Sequence, residues 1–143
     1  MKIVAISLSL LFTAITGASA QDATPDFSGE WWNERCSKMT LTVTGESLAG
    51  KYETGVGGGS GHQFDLAGFT SGDMVAFSVN FGTEGSLTSW SGQDTMVNGQ
   101  EMIETMWLLT ANLSNDTDEP KTIWKSTWTG ADNFVRAKPA SCP

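Results

Sequence analysis

The chain has 143 residues, carries eight basic against sixteen acidic side chains for a formal charge of −8, and is 39% hydrophobic with six tryptophans. That length suits one domain with a sizeable core. The acidic balance argues against nucleic acid or an anionic membrane as partner, since both would repel it.

The opening stretch, MKIVAISLSLLFTAITGASA, reads as a secretory signal over residues 1–20. Lys2 supplies the positive end, Ile3 to Ile15 the apolar segment, and Ala18-Ser19-Ala20 a cleavage site before Gln21. The apolar run is short for a bilayer span, and small residues follow it. Secretion, to the exterior or the periplasm, is therefore expected, in a compartment that permits disulfides. Residues 21–26 (QDATPD) are a flexible polar leader, 27–138 the folded domain and 139–143 a short tail.

From Phe27 onward, short β-like runs are punctuated by Gly, Asn, Asp and Ser. Strands are predicted at 28–34, 38–44, 48–56, 63–70, 73–82, 86–95, 99–112 and 120–137. Thr44-Gly45, Ser71-Gly72 and Asn98-Gly99 mark tight hairpins between sequential antiparallel strands. Eight neighbouring strands that close on themselves leave no open edge. The expected fold is therefore all-β, an eight-stranded antiparallel up-and-down barrel with a ligand pocket at one end. A sandwich is the structural alternative.

Two connections are long. Gly57 to His62 (GGGSGH) is a flexible hairpin tip or a lid over a barrel mouth. Asn112 to Pro120 (NLSNDTDEP) is acidic and holds two N-x-S/T sequons, at Asn112 and Asn115, which matter only in a host that glycosylates. His62 is the only histidine and stands in no ligand cluster, so no metal site is expected.

The last apolar stretch, TIWKSTWTGADNFVR from Thr122 to Arg136, carries the first functional signal. Gly130 interrupts the run, and Asp132 and Phe134 then share one strand face. A carboxylate at the edge of an apolar core is costly unless something donates hydrogen bonds to it. The N–H groups of a ligand are the donors expected here.

The same alternation pairs Trp31 with Asn33, lines up Tyr52, Thr54 and Val56, and then Phe77, Val79 and Phe81. Ser86, Thr88 and Trp90 share a face on the sixth run, and Trp107 and Leu109 on the seventh. A purely structural core would rarely accept Asn33, Tyr52, Thr54, Thr88 and Asp132 together, because each needs a partner once buried. Aromatic walls with a few convergent polar groups are what a tight small-molecule site requires.

Taken in order, FSGEWWNERCSKMTL, GKYETGV, FSVNF, TSWSGQ, TMWLL and WKSTWTGADNF resemble the avidin/streptavidin family, from Phe27 to about Lys138. The resemblance implies a secreted, high-affinity biotin-binding protein that sequesters its ligand in the barrel and performs no catalysis. Biotin would be the ligand rather than a cofactor. Its ureido oxygen would accept hydrogen bonds from Asn33, Ser37 and Tyr52, and its ureido N–H groups would go to Asp132 and Thr54. Thr88 would meet the ring sulfur, and Ser86 with the backbone N–H near Gly58 would take the valerate carboxylate. Trp90, Trp107 and Phe81 would wall the bicyclic ring, with Leu109 alongside, and Val56 would also belong to the ligand-binding set. Trp124 would cross a subunit interface to cap a neighbour's ligand, which implies a homotetramer, with a homodimer as the alternative.

The chain departs from the family pattern in three places. Phe81 stands where tryptophan is usual, the lid is unusually rich in glycine, and Cys36 occupies a spot that is commonly glycine. The two cysteines, Cys36 and Cys142, leave an intrachain bridge, an interchain bridge or free thiols open. If the last strand runs antiparallel to the first, Cys142 is carried beyond the first strand's start at about 3.3 Å per residue. An intrachain bond then needs the tail to double back. Strand geometry alone favours an interchain bond or free thiols.

Two other functions compete. A lipocalin-like carrier of an apolar ligand would share the barrel, but its pocket needs few groups like Asn33, Tyr52 and Asp132. A hydrolase lacks a nucleophile-elbow serine, a second histidine and metal-ligand spacing in this sequence.

Overall fold

The structure, a computed structural model, describes residues 24–112 and 126–143. The signal segment, the Asn115 sequon and Trp124 lie outside the described residues. Eight strands follow one another: β1 (Gly29–Asn33), β2 (Lys38–Thr44), β3 (Ser47–Glu53), β4 (Gln63–Ser71), β5 (Met74–Asn80), β6 (Ser86–Val97), β7 (Gln100–Ala111) and β8 (Thr127–Val135). Each pairs antiparallel with the next, and β8 returns to β1 through Trp32–Val135 and Asn33–Phe134, closing the barrel. This is the all-β up-and-down barrel expected from the sequence.

Two-residue periodicity drives the closure. In β5, Val75, Phe77 and Val79 are buried while Met74 and Ala76 face out. In β7, Ile103 and Thr105 point inward and Met106 and Leu108 outward. One end of the barrel is stitched by the two-residue turns Gly45-Glu46, Gly72-Asp73 and Asn98-Gly99. Asn98 and Gly99 both take positive φ, 51° and 80°, the twist that lets such a turn continue two right-twisted strands.

That end is solid. Phe27, Trp31, Met39, Leu41, Ile103 and Phe134 are all buried there and belong to one apolar cluster. The Trp31 indole donates to the Phe27 carbonyl at 2.9 Å, so the ring is buried without an unpaired N–H. The Arg136 guanidinium lies 3.7 Å from the Trp31 ring centroid and donates to Glu101 Oε2 at 2.8 Å and to the Ser28 carbonyl at 2.7 Å. An arginine with its charge paired and its face on an indole seals the core without leaving a buried ion unmatched.

The other end carries the longer connections, 34–37, 54–62 and 81–85, with a single 3₁₀ turn at Gly82–Glu84 in the last of them. A barrel plugged at one end and looped at the other can hold a ligand only at the looped end. The glycine-rich connection is folded on itself: Gly61 donates to the Thr54 carbonyl at 2.8 Å and His62 to the Gly59 carbonyl at 2.8 Å.

One expectation is met and one needs correction. Gly130 breaks the apolar run but lies inside β8, opposite Trp107, within the strand expected there. A Cβ there would come within 2.4 Å of the Trp107 ring, so the absent side chain makes room for the indole. The cysteines form an intrachain bridge, Cys36–Cys142, with Cα atoms 5.4 Å apart. Straight continuation of β8 would have prevented it. The chain leaves β8 after Val135, makes a turn in which Cys142 N–H bonds to the Pro139 carbonyl, and doubles back to the β1–β2 turn.

Candidate ligand-binding site

At the looped end the barrel encloses a cavity of about 310 Å³. Its floor is built by the β1–β2 turn. Asn33 Oδ1 accepts the backbone N–H groups of Arg35 at 3.1 Å and Ser37 at 2.9 Å, which ties the turn into a loop. Cys36 sits in that turn at φ 64°, a left-handed conformation that a glycine would adopt more cheaply, and its disulfide anchors it there. With its oxygen committed, the Asn33 amide has its NH₂ left to donate.

Ser37 shows the same logic. Its hydroxyl oxygen accepts the Gly55 N–H at 3.0 Å, so its proton is directed elsewhere, to the Tyr52 oxygen or to a ligand acceptor in the cavity. Tyr52 stands beside both, buried, its phenol pushed upward in pKa first by desolvation, with the Asp132 charge adding to that and the Ser37 and Asn33 hydrogen bonds opposing it. It therefore keeps its proton and remains a donor. Three protonated groups converge on one corner of the cavity.

Asp132 faces them from β8 at 5% exposure. Trp90 Nε1 donates to Asp132 Oδ2 at 2.9 Å. Burial raises the carboxyl above its ordinary range, Trp90 pulls it down, Glu34 adds a smaller upward push, and Arg35 and Asn33 lower it. The sequence suggested that a ligand alone would satisfy this carboxylate; an indole from β6 already does part of it. Thr54 donates to the Val56 carbonyl at 3.1 Å and accepts the Val56 N–H at 3.3 Å, which leaves its oxygen one lone pair for the cavity it lines.

The walls are aromatic. The Tyr52 ring lies 5.2 Å from Trp90, Trp90 stacks on Phe77 at 5.1 Å, and Phe81 meets Tyr52 edge-on at 5.9 Å. Phe64 buttresses Phe81 at 4.9 Å. Trp107 and Leu109, half-buried on β7, complete the wall beside β8. Thr88 lies between, and its hydroxyl is buried without a hydrogen-bond partner among the described residues. An orphaned buried hydroxyl in a cavity wall is a cost that a ligand acceptor or donor would remove. Val56, Gly58 and Ser86 mark the mouth.

A family model described as Avidin family matches residues 21–137. The chain belongs to the avidin family. It is 29% identical to avidin of Gallus gallus over 143 residues, covering 92% of this chain and 91% of avidin. Avidin-related protein 4/5 of the same organism is 29% identical over 138 residues, covering 90% of this chain and 89% of the relative. Among solved structures, Xenavidin superposes with a TM-score of 0.68 at 26% identity, over 80% of this chain and all of that one. Short afifavidin, solved as a complex with biotin, gives a TM-score of 0.62 at 28% identity, over 78% and 90% of the two chains. Avidin-family proteins are binders rather than enzymes, and the chain shares that class.

Every site residue singled out from sequence that falls in the described part lines this one cavity. Two lining residues were missed, Arg35 and Glu84, while Gly57 and Gly59 belong to the connection read as a tip or a lid. Arg35 and Glu84 lie in connections, where alternation gives no direction to a side chain. Phe64 was within reach, since it alternates with buried Leu66 on β4.

Proposed function

We propose that the protein binds biotin with high affinity in this cavity and acts by holding it. One observation carries the reading: Asn33, Ser37 and Tyr52 each have a proton to give, and they face a buried carboxylate across one corner of the cavity. That is the complement of a cyclic urea, which presents one strongly accepting oxygen flanked by N–H donors. Three donors on one oxygen favour its polarised form, and the low dielectric strengthens each bond. Asp132 and Thr54 take the N–H groups. Thr88 meets the ring sulfur, and Trp90, Trp107, Phe81 and Leu109 enclose the bicycle. The biotin complex of the related short afifavidin supports the same ligand.

The proposal includes export, on the strength of the N-terminal segment, and assembly into a homotetramer, with a homodimer as the alternative. Phe69, Met106 and Leu108 stand exposed on the outer face of β4 and β7, at 70%, 66% and 51%. Such an apolar face on a barrel wall suits burial against another copy. Trp124, outside the described residues, is the side chain proposed to cap a neighbour's ligand.

Titration of tryptophan fluorescence with biotin and, separately, with a fatty acid tests the reading. Saturable quenching or shift by biotin alone supports it. Response to the fatty acid alone would favour an apolar carrier of the lipocalin kind.

A further inference from the structure

Glu84 is out of place in a pocket that must receive an anionic tail. It closes the 3₁₀ turn between β5 and β6 and lines the cavity mouth beside Gly57, Gly58 and Gly59. A Cβ built on Gly59 would lie 3.2 to 3.4 Å from the Glu84 side chain, and one on Gly58 would lie 3.8 Å from its Oε2. The carboxylate therefore occupies the ground beside Gly58 and Ser86 where the tail carboxylate of biotin would come to rest. Among the described residues the compensating group is His62, whose Nδ1 is 3.7 Å from Glu84 Oε1, beyond hydrogen-bond reach and on a side chain that is 65% exposed. Arg35, the basic side chain that lines the cavity among the described residues, acts on Asp132 instead.

Resting on the biotin reading above, we propose that Glu84 makes the site selective for biotin whose tail is neutral, the amide-linked form carried on a lysine side chain, over the free acid. An amide tail presents an N–H that Glu84 can accept and removes the second negative charge from the mouth. A free carboxylate brings two like charges together in a partly desolvated site, where repulsion at a few ångströms costs at least about threefold in affinity. The substrate class implied is biotinylated protein or its lysine-bearing fragments.

The test compares dissociation constants for biotin and for its primary amide, on the full chain and on Glu84→Gln, at low and at high salt. The expected result is a ratio that favours the amide in the native protein and moves at least about threefold toward the acid in Glu84→Gln. Added salt should narrow the native ratio and leave that of the variant in place, because only the native mouth holds the screened charge. Thermal unfolding of the variant shows that it is folded. A ratio that is the same in both proteins overturns the role of Glu84 while leaving biotin binding intact. Failure of both ligands to bind the native protein overturns the biotin reading and this one together, whereas binding of the free acid without the amide overturns only the role of Glu84.

Discussion

The indole N–H of Trp90 and the carboxylate of Asp132 are joined at 2.9 Å across the barrel, from strands that are not neighbours and positions 42 residues apart. The pair holds a charged acceptor in an apolar wall before any ligand arrives. Replacing Asp132 with alanine removes that acceptor and should cost at least about 1–3 kcal/mol of biotin affinity by isothermal titration. Trp90→Phe keeps the wall but strands the carboxylate, and should lower both affinity and the midpoint of denaturant unfolding. Undiminished biotin retention in Asp132→Ala would mean that the urea is recognised by other groups.

The raised carboxyl of Asp132 sets a pH dependence with two opposite signs. Its folded pKa lies above the ordinary 3.8, so the folded state holds this proton more tightly than the unfolded chain does. Its contribution to stability is full below 3.8 and is lost as pH rises through the folded value. Ligand binding needs the ionised form, because a protonated carboxyl cannot accept as well from a urea N–H. Biotin affinity should therefore fall as pH drops through the same window. Asp132→Asn should flatten that dependence in a pH series of dissociation rates.

The bridge between Cys36 and Cys142 closes a loop of 106 residues and pins the tail to the turn that builds the cavity floor. Removing it by Cys36→Ser with Cys142→Ser should cost about 3–5 kcal/mol of stability. It should also speed biotin release, because Asn33 and Ser37 depend on that turn. Calorimetry and an off-rate measurement would separate the two effects.

Gly130 leaves room for Trp107, and Gly130→Ala should push the ring from the wall. A loss of about 1–3 kcal/mol in stability is expected from overpacking, with weaker biotin binding beside it. Unaltered tryptophan emission and melting would show that the indole has space to move.

The exposed outer face gives a check on assembly. Met106→Lys with Leu108→Lys places charge on an apolar patch that is solvent-exposed in the isolated chain. Light scattering should show a smaller particle than the native protein, with circular dichroism unchanged. A native particle that is already monomeric would refute the proposed tetramer and dimer alike.

Much of this was legible in the residues because alternation is a local property. Val75, Phe77 and Val79 declare an inward face within five positions, and the Asn98-Gly99 turn declares its hairpin. The polar residues interleaved with aromatics, from Asn33 to Asp132, pointed to a ligand site, since a dry core has no use for them, and they line one cavity. What local pattern could not carry was anything depending on how loops and ends return. Arg35 and Glu84 reach the cavity from connections without periodicity, and the reason for a glycine at 130, room for the Trp107 ring, lies a strand away. The cysteine pairing depended on a reversal after Val135 that no strand register predicts. Sequence alone determined which side chains face inward, because a strand's period is set by its own backbone. Tertiary structure decided which of those side chains meet, because closure of the barrel and the path of its loops are set by contacts between residues far apart in the chain.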